Sequence, residues 1–198
     1  MGKWFPRIYD MVMLPLELNK FSKIRKALVG KATGRVLEIG SGSGINFRYY
    51  RDVSHVDAIE PNPVMNKRSI KQIGSSYIPI QTHLVGAEKL PFADNTFDSV
   101  VATLVFCTIP EPLKAIKEIQ RVCKPGAKIL VFEHVRMNQK LLGKAQDLLT
   151  PTWKKLCDGC HLNRNTLELL RQTKISIHKV ECHFKGLFLT VECSKEVK

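Results

Sequence analysis

Three glycines at alternate positions, in the stretch Gly40-Ser41-Gly42-Ser43-Gly44, directly follow the apolar segment 35–39. Glycine there lets the chain turn sharply and lets a ligand approach the backbone closely. A dinucleotide-binding fingerprint would need glycine at position 45 or 47, where the sequence has Ile45 and Phe47, and no lysine-serine or lysine-threonine pair suggests a P-loop. The turn therefore predicts a ligand site that has no phosphate cradle.

A carboxylate follows the second apolar segment, in the stretch Glu60-Pro61-Asn62, twenty residues beyond Gly40. An acid at a strand end with this spacing can accept hydrogen bonds from both hydroxyls of a ribose. After the third segment, Gly86-Ala87-Glu88 offers small residues against which an adenine ring could slide, with Glu88 near its amino group. We expect the end of the fourth segment, Ala102-Thr103-Leu104, to border the same ligand. These stretches predict an adenosine ligand without phosphate, and S-adenosylmethionine fits that description.

The stretches need a scaffold that brings them to one edge. From Gly34 onward, short segments rich in β-branched residues alternate with helical patterns, which is typical of a parallel sheet with helices on both faces. The predicted strands are residues 35–39, 55–59, 78–85, 99–105 and 127–133, and the predicted helices between them are residues 63–73 and 111–123. In such a sheet the loops at the carboxyl ends of the strands meet at one edge.

The C-terminal part predicts a helix over residues 138–149, ended by Thr150-Pro151, and another near residues 166–173. Two strands follow, residues 174–184 and 187–193, joined by a tight turn at Lys185-Gly186. These elements indicate an α/β fold, a Rossmann-like three-layer sandwich with a seven-stranded, mostly parallel sheet and an antiparallel C-terminal hairpin. We expect one domain over residues 1–198, with a helical cap (1–33), a cofactor-binding core (34–135) and a substrate-side part (136–198).

Several short motifs resemble those of one large family. They are Val36-Leu37-Glu38-Ile39-Gly40, Glu60, Gly86-Ala87-Glu88, Phe97-Asp98 and Cys123-Lys124-Pro125-Gly126-Ala127. In this order they are similar to the motifs of class I S-adenosylmethionine-dependent methyltransferases, over about residues 34–135. The resemblance implies that Glu38 and the glycines hold the methionine part of the cofactor, Glu60 the ribose, and Ala87-Glu88 the adenine. Ser41 stands where the family often has cysteine or alanine, which is a conservative difference.

A narrower resemblance covers nearly the whole chain. Its motifs are Pro15-Leu16-Glu17, Ile59-Glu60-Pro61-Asn62-Pro63, Leu104-Val105-Phe106-Cys107, Phe132-Glu133-His134-Val135 and Asp158-Gly159-Cys160-His161-Leu162-Asn163-Arg164. They resemble those of the methyltransferase-like group that includes animal alkyl-thiol methyltransferases. The resemblance implies methyl transfer to a small acceptor molecule, with a thiol as the first choice.

Methyl transfer from a sulfonium depends mainly on holding the nucleophile in line, so a catalytic base is optional. A thiol acceptor, with a pKa of about 8.5, would gain from a nearby basic or positive group. His134, at the end of the fifth strand, and His161 are the candidates, while Cys107 and Cys160 are candidates to line the acceptor pocket. A purely structural role is the alternative for each. The segment 159–164 is interpreted either as a loop over the acceptor or as a helix-capping turn with Asn163 or Asn165 as the N-cap.

The stretch Cys157-Asp158-Gly159-Cys160-His161 also fits the C-x-x-C-H pattern of covalent haem attachment. Haem attachment requires export, and Met1 to Pro15 lacks the apolar run of a signal peptide. A zinc site would need a second pair of ligands, and Cys182 and His183 fall on a predicted strand. We therefore expect no metal, six free thiols and a cytoplasmic protein.

A formal net charge of +13, from 31 basic and 18 acidic residues, is the unusual bulk feature. Such a charge is compatible with peripheral contact with an anionic membrane, with binding of nucleic acid, or simply with a basic surface exposed to solvent. The densest basic part, residues 20–35, predicts an amphipathic helix; its inner face would carry Phe21, Ile24, Ala27 and Leu28.

Three other functions stay open at this point. They are methylation of a phospholipid amine, methylation of RNA, and cofactor binding by a sensor or scaffold without catalysis. RNA is disfavoured because Thr103-Leu104-Val105-Phe106 stands where base methyltransferases carry an Asp-Pro-Pro-Tyr or Asn-Pro-Pro-Tyr block. The sequence sets no expectation for the oligomeric state.

Overall fold

The computed structural model describes residues 17–74 and 76–197. The strands are β1 (Gly34–Ile39), β2 (Val53–Ile59), β3 (Ile80–His83), β4 (Phe97–Thr103), β5 (Cys123–His134), β6 (Ile175–His183) and β7 (Phe188–Lys195). The helices are α1 (Ser22–Val29), α2 (Pro63–Ile73), α3 (Pro112–Val122), α4 (Lys140–Leu156) and α5 (Thr166–Arg171). Short helical turns cover Glu17–Phe21, Phe47–Tyr49 and Phe184–Gly186. Most of the predicted cap before α1, including Pro15 and Leu16 of the narrower motif, lies outside the described residues.

One seven-stranded sheet with the order β3-β2-β1-β4-β5-β7-β6 forms the middle layer. The first five strands in this order pair in parallel, and β7 runs antiparallel to both β5 and β6. The strand order reverses between β1 and β4, so the loops that follow these two strands diverge and leave a crevice at the carboxyl edge. The predicted fold class is confirmed.

Helices cover both faces because the central strands are apolar on both sides. On one face, Ile116 and Ile119 of α3 and Leu170 of α5 pack in a core that also contains Leu37 of β1. On the other face, α1 and the segment after β1 supply a second core, to which Phe21, Leu28, Phe47 and Tyr50 belong. The sheet edge that carries the candidate site is therefore rigidly backed from both sides.

The buried face of α1 differs from the predicted one. Phe21 and Leu28 are buried as expected and Ile24 is half-buried, but Ala27 is exposed. Arg25 takes the inner position instead, with only 3% of its surface exposed. A buried guanidinium needs polar partners, and Arg25 finds them at the carboxyl end of the sheet.

Helix α4 runs through Pro151, so the predicted interruption at Thr150-Pro151 is wrong. Proline lacks an amide N–H and crowds the preceding turn, which normally ends or kinks a helix. Here the buried positions of α4 are polar or small, namely Gly143, Gln146 and Thr150, while several leucines are exposed. Polar contacts of Gln146, and not an apolar stripe, fix the helix to the rest of the molecule.

Within residues 17–74 and 76–197, no helix has the length and apolar composition that crossing a bilayer requires.

The remaining predicted elements are confirmed, with shifts at their ends. β4 stops at Thr103, two residues early, because Leu104 adopts a left-handed conformation with φ 54°. β5 begins at Cys123, directly after α3. The hairpin connection is longer than predicted, since His183 pairs with Phe188 and four residues lie between them.

Candidate active site

A cavity of about 1080 Å³ opens at the carboxyl edge of the sheet, beside the crevice between β1 and β4. Ligand sites typically measure about 300–1,000 Å³, so this cavity is large enough for a cofactor and an acceptor together. Most predicted site residues line it: Gly40, Ser41, Gly42, Glu60, Pro61, Asn62, Gly86, Ala87, Glu88, Thr103, Leu104, Cys107, His134 and Cys160.

The glycine loop forms one wall of this cavity. Gly40 has φ 61°, and a Cβ there would lie 2.2 Å from Cγ2 of Val105, so the close passage of the two loops requires glycine. Gly44 does not line the cavity; it shapes the turn, with φ 81° and no room for a side chain against Phe47. The hydroxyl oxygen of Ser41 is buried and has no hydrogen-bond partner among the described residues. A ligand in the cavity would supply the partner that this hydroxyl lacks.

Glu60 ties the loops after β1 and β2 together. Its Oε2 accepts a hydrogen bond from the N–H of Gly42 at 3.0 Å, and its Oε1 accepts one from the N–H of Asn62 at 2.9 Å. Burial has the larger effect on the pKa of Glu60 and raises it, although these two hydrogen bonds lower it. Each carboxylate oxygen can accept a further hydrogen bond. Asn62 also caps α2, because its Oδ1 accepts from the N–H of Val64 at 2.9 Å.

Glu38 lies behind the glycine loop and is not among the residues that line the cavity. Its carboxylate accepts hydrogen bonds from the hydroxyl of Tyr50 at 2.8 Å and from Nδ2 of Asn46 at 3.0 Å. Burial raises the pKa of Glu38 to about 7. Glu38 thus holds the glycine loop through Asn46, and its contact with the methionine part of the cofactor stays a prediction.

Arg25 is a site residue that the sequence did not reveal. From α1 its guanidinium donates to Oγ1 of Thr103 at 2.6 Å and to Oδ1 of Asn46 at 3.1 Å, and it forms an ion pair with Glu17 at 2.8 Å. Arg25 and Glu17 both line the cavity. Helix α1 is thereby joined to the glycine loop and to the end of β4.

The stretch Gly86-Ala87-Glu88 lies on the cavity wall where an adenine ring was expected. The loop that follows is held by α3: the N–H of Leu90 donates to Oε2 of Glu118 at 2.8 Å, and Arg121 donates to the carbonyl of Leu90 at 3.0 Å. At the end of β4, Ala102 is fully buried in the core and does not line the cavity. Its two successors, Thr103 and Leu104, do.

A cluster of two sulfur atoms and one imidazole nitrogen occupies another part of the cavity wall. It comprises Cys107, after β4, His134, at the end of β5, and Cys160, after α4. Nε2 of His134 lies 3.3 Å from Sγ of Cys160, and the three donor atoms all lie within 4.8 Å of one another. We refer to these three residues as the Cys-His-Cys cluster.

The loop that carries Cys107 is clamped by hydrogen bonds. Glu133 is fully buried, and its Oε1 accepts from the N–H groups of Val105 at 2.6 Å and Phe106 at 2.8 Å. Arg164 donates to the carbonyls of Phe106 and Ile109. The left-handed Leu104 just before this loop turns the chain toward Glu133. Strained backbone of this kind concentrates at functional sites.

His161 is not among the residues that line the cavity. Its amide N–H donates to the carbonyl of Cys107 at 2.9 Å, and its Nδ1 lies 3.0 Å from a guanidinium nitrogen of Arg164. Burial and the charge of Arg164 lower the pKa of its imidazole. This geometry suits a residue that positions the Cys107 loop, and it offers no support for His161 as a base facing the acceptor.

The segment 159–164 combines both of the interpretations proposed for it. Gly159, Cys160 and Leu162 line the cavity. The segment also leads into α5, whose N-cap is Asn165, since its Oδ1 accepts from the N–H of Glu168 at 3.2 Å. Asn163 is not the cap.

The charge state of the cluster follows from its crowding. Hydrogen bonding with Cys107 lowers the pKa of Cys160, and His134 lowers it further. The same contact, together with burial, raises the pKa of Cys107. Burial lowers the pKa of His134, but contact with Cys160 outweighs this and raises it. Of the two thiols, Cys160 is therefore the one that ionises more readily.

Comparison with known proteins agrees with this geometry. Residues 37–132 match the family model described as a methyltransferase domain. Thiol S-methyltransferase TMT1B from Rattus norvegicus is 35% identical over 167 residues, which cover 81% of this chain and 68% of that protein. Thiol S-methyltransferase TMT1A from Homo sapiens is 30% identical over 190 residues, or 90% of this chain and 78% of that protein. A phosphatidylethanolamine N-methyltransferase from Cereibacter sphaeroides is 29% identical over 126 residues, 62% of each chain.

Solved structures show the same fold at low identity. A SAM-dependent methyltransferase from Aquifex aeolicus superimposes with a TM-score of 0.67 at 18% identity, over 96% of this chain and 98% of that one. The [4+2]-cyclase SpnF superimposes with a TM-score of 0.70 at 20% identity, over 90% of this chain and 81% of that one. Because a protein named as a cyclase shares this fold, the fold alone does not determine the reaction.

The sheet order, the glycine loop and the matched domain make this protein an S-adenosylmethionine-dependent methyltransferase of the Rossmann-like class. Within that class, the chain belongs to the family that includes the thiol S-methyltransferases TMT1A and TMT1B.

Proposed function

We propose that this enzyme transfers the methyl group of S-adenosylmethionine to the sulfur of a small thiol. The observation that carries the proposal is the Cys-His-Cys cluster, which lines the same cavity as the glycine loop and Glu60. Relatives that are 30–35% identical over 167–190 aligned residues are named thiol S-methyltransferases, which supports the same acceptor.

The residues on the cofactor side fit S-adenosylmethionine. The unpartnered hydroxyl of Ser41, together with the glycine loop at Gly40 and Gly42, would hold the methionine part, which carries no phosphate. Glu60, whose oxygens can each accept another hydrogen bond, would hold the ribose. Ala87 and Glu88 would border the adenine. When bound, the cofactor supplies an electrophilic methyl group on a positively charged sulfur.

The Cys-His-Cys cluster would receive the acceptor. Cys107 and Cys160 are nearly buried, at 3% and 8% exposure, so an acceptor there is largely desolvated. A positive or basic group raises the thiolate fraction of a thiol, and His134 supplies it. The clamp on the Cys107 loop holds the pocket in one geometry, which favours in-line attack.

The test is a panel of acceptors with methyl-labelled cofactor. It includes an alkyl thiol such as 2-mercaptoethanol, a primary amine, and phosphatidylethanolamine vesicles. We expect label in the thiol only. We expect His134→Ala to lower turnover by about 10-fold or more while leaving the cofactor Kd unchanged, and His178→Ala, at an exposed site on β6, to have no effect. Label in the amine or the lipid, and none in the thiol, would refute the proposal.

A phospholipid amine is the second candidate, and one feature of α4 favours it. Three leucines of this helix, Leu141, Leu148 and Leu156, are 82%, 80% and 66% exposed. Lysines flank them, and Trp153 of the same helix lines the cavity. An amphipathic helix of this composition can lie in a membrane interface. Peripheral contact with an anionic membrane would also use the net charge of +13.

Co-sedimentation with phosphatidylcholine vesicles, with and without phosphatidylserine, separates the two candidates. Binding that is lost at high salt and in Leu141→Ser/Leu148→Ser would support the membrane contact. If the protein stays in the supernatant at low salt and the label is found in the thiol, the acceptor is the soluble thiol.

A further inference from the structure

The Cys-His-Cys cluster has the donor types and the spacing of a zinc site. Tetrahedral zinc bonds sulfur at about 2.3 Å and nitrogen at about 2.0–2.1 Å, which places neighbouring donor atoms roughly 3.6–3.8 Å apart. Nε2 of His134 lies 3.3 Å from Sγ of Cys160, and no two of the three donor atoms are more than 4.8 Å apart. The distances expected for zinc fall between these two values. Small shifts of three side chains would complete the geometry.

The three donors come from positions that the fold holds fixed. Cys107 lies on the loop clamped by Glu133, Arg164 and the amide of His161. His134 is the last residue of β5. Cys160 is held by its amide, which donates to the carbonyl of Cys157 at 2.9 Å. Because none of these supports uses a donor atom of the cluster, its geometry does not depend on a metal.

The charges around the cluster also suit a divalent cation. With both thiols ionised and the imidazole neutral, the cluster carries two negative charges. A doubly charged metal ion would therefore bring this buried region close to neutrality, which burial favours.

The three donors leave one tetrahedral position free, and all three line the cavity. Structural zinc sites are closed by four protein ligands, whereas catalytic sites have three and keep an open position for water or substrate. We propose that Cys107, His134 and Cys160 bind Zn²⁺ and that the open position receives the sulfur of the acceptor thiol. This inference rests on the proposed thiol methylation and assigns its acceptor subsite.

The chemistry balances without any further reagent. On metal binding, Cys107 and Cys160 release their protons to solvent, and the acceptor thiol releases its own when it coordinates. A lone pair of the acceptor sulfur then forms the new bond to the methyl carbon. The bond from that carbon to the cofactor sulfonium breaks, and its electron pair stays on the departing sulfur. The product is a neutral thioether, a weaker ligand than a thiolate, so it leaves the metal.

Metal binding is tested directly on the full chain. Chelator-treated protein is titrated with ZnCl₂ by calorimetry against a competing chelator, and with CoCl₂ by absorption spectroscopy. We expect one ion per chain, a thiolate-to-cobalt charge-transfer band, and a change of the cobalt spectrum when 2-mercaptoethanol is added. Cys107→Ser and Cys160→Ser should each weaken zinc binding by more than about 100-fold.

Cys157→Ser is the matched control, because Cys157 also lines the cavity but is not part of the cluster. It should bind zinc as the unaltered protein does, and the melting temperature of each variant shows whether it folds. The inference is overturned if folded Cys160→Ser binds zinc unchanged, or if Cys157→Ser loses as much affinity. Full thiol methylation by zinc-free protein would also overturn it while leaving the proposed function intact. Zinc binding without thiol methylation would instead overturn the proposed function and the acceptor role of the metal.

Discussion

The guanidinium of Arg25 donates a hydrogen bond of 2.6 Å to Oγ1 of Thr103, and this contact joins the helix before the sheet to the cavity wall at the end of β4. The same guanidinium binds Glu17 and Asn46. Helix α1 therefore does more than cover an apolar face. Its one buried charge organises the entrance of the glycine loop.

Replacing Arg25 by methionine should destabilise the protein strongly. Breaking a buried ion pair by removing one partner costs about 3–5 kcal/mol, because the remaining charge is left unpaired. The partner here, Glu17, is 10% exposed. Urea unfolding measures the loss, with Lys26→Met on the exposed side of α1 as the control. Adding Glu17→Gln to Arg25→Met should recover part of the loss. Equal stability of the Arg25→Met and Lys26→Met proteins would contradict the prediction.

Glu60→Gln should weaken cofactor binding. Both oxygens of the carboxylate accept hydrogen bonds, from the N–H groups of Gly42 and Asn62. The amide of glutamine can accept only at its oxygen, because its nitrogen is a donor. Hydrogen bonds to a charged group contribute about 1.5–3 kcal/mol, which corresponds to a rise in Kd of about 10- to 150-fold. Calorimetry with S-adenosylmethionine measures it. The exposed Glu111→Gln is the control, and a Glu60→Gln Kd within about twofold of the unaltered value would exclude Glu60 from the site.

Glu38 should make the stability of the protein depend on pH. Its pKa is about 7 when folded, against 4.5 for an unperturbed glutamate. Between these values the folded protein keeps a proton that the unfolded chain has released, so this contribution to stability is full below pH 4.5 and is lost as pH rises through 7. The change is at most about 3 kcal/mol.

Glu38→Gln cannot ionise and should lose this dependence. Urea unfolding at several pH values between 5 and 8 would show the free energy of unfolding of the unaltered protein falling with pH relative to that of the variant. Parallel profiles for the two proteins would mean that Glu38 is ionised throughout. Glu111→Gln serves again as an exposed control and should follow the unaltered protein.

Local chain geometry made it predictable that the glycine loop and Glu60 meet at one cavity. The glycine turn after β1 and the acid after β2 depend on strand ends and short spacings, which a sequence displays directly. The position of Glu38 in its motif is local, but the direction of its carboxylate depends on Asn46 and Tyr50, which the sequence does not display.

The acceptor side depends on contacts between distant segments. Cys107, His134 and Cys160 are separated by more than twenty residues from one another and meet only because the loops after β4, β5 and α4 converge. The pair Cys157 and Cys160 was the visible signal, but the partners of Cys160 are Cys107 and His134. Pro151 misled for a related reason: tertiary contacts of α4 outweighed the local preference of proline to end a helix.

Replacing Gln146 should test most clearly how the tertiary contacts of α4 support the acceptor side of the site. Its Oε1 accepts from the N–H of Met137 at 2.7 Å, and its Nε2 donates to the carbonyls of Val135 at 3.1 Å and Leu162 at 2.9 Å. It thereby links the segments that follow His134 and Cys160 in the chain. Gln146→Ala leaves three backbone groups without this partner, and each unsatisfied buried group costs about 1–3 kcal/mol.

We therefore expect Gln146→Ala to lower the free energy of unfolding by about 2–4 kcal/mol and, in the fraction that folds, to lower thiol methylation more than cofactor affinity. The matched control is Gln139→Ala at the start of α4, where the side chain donates to the carbonyl of Lys185 on the exposed surface. That change should alter stability by less than about 0.5 kcal/mol. Urea unfolding and cofactor calorimetry on the two variants measure both effects. If the two variants lost equal stability, or if Gln146→Ala weakened cofactor and acceptor binding alike, the helix would not be positioning the Cys-His-Cys cluster through Gln146.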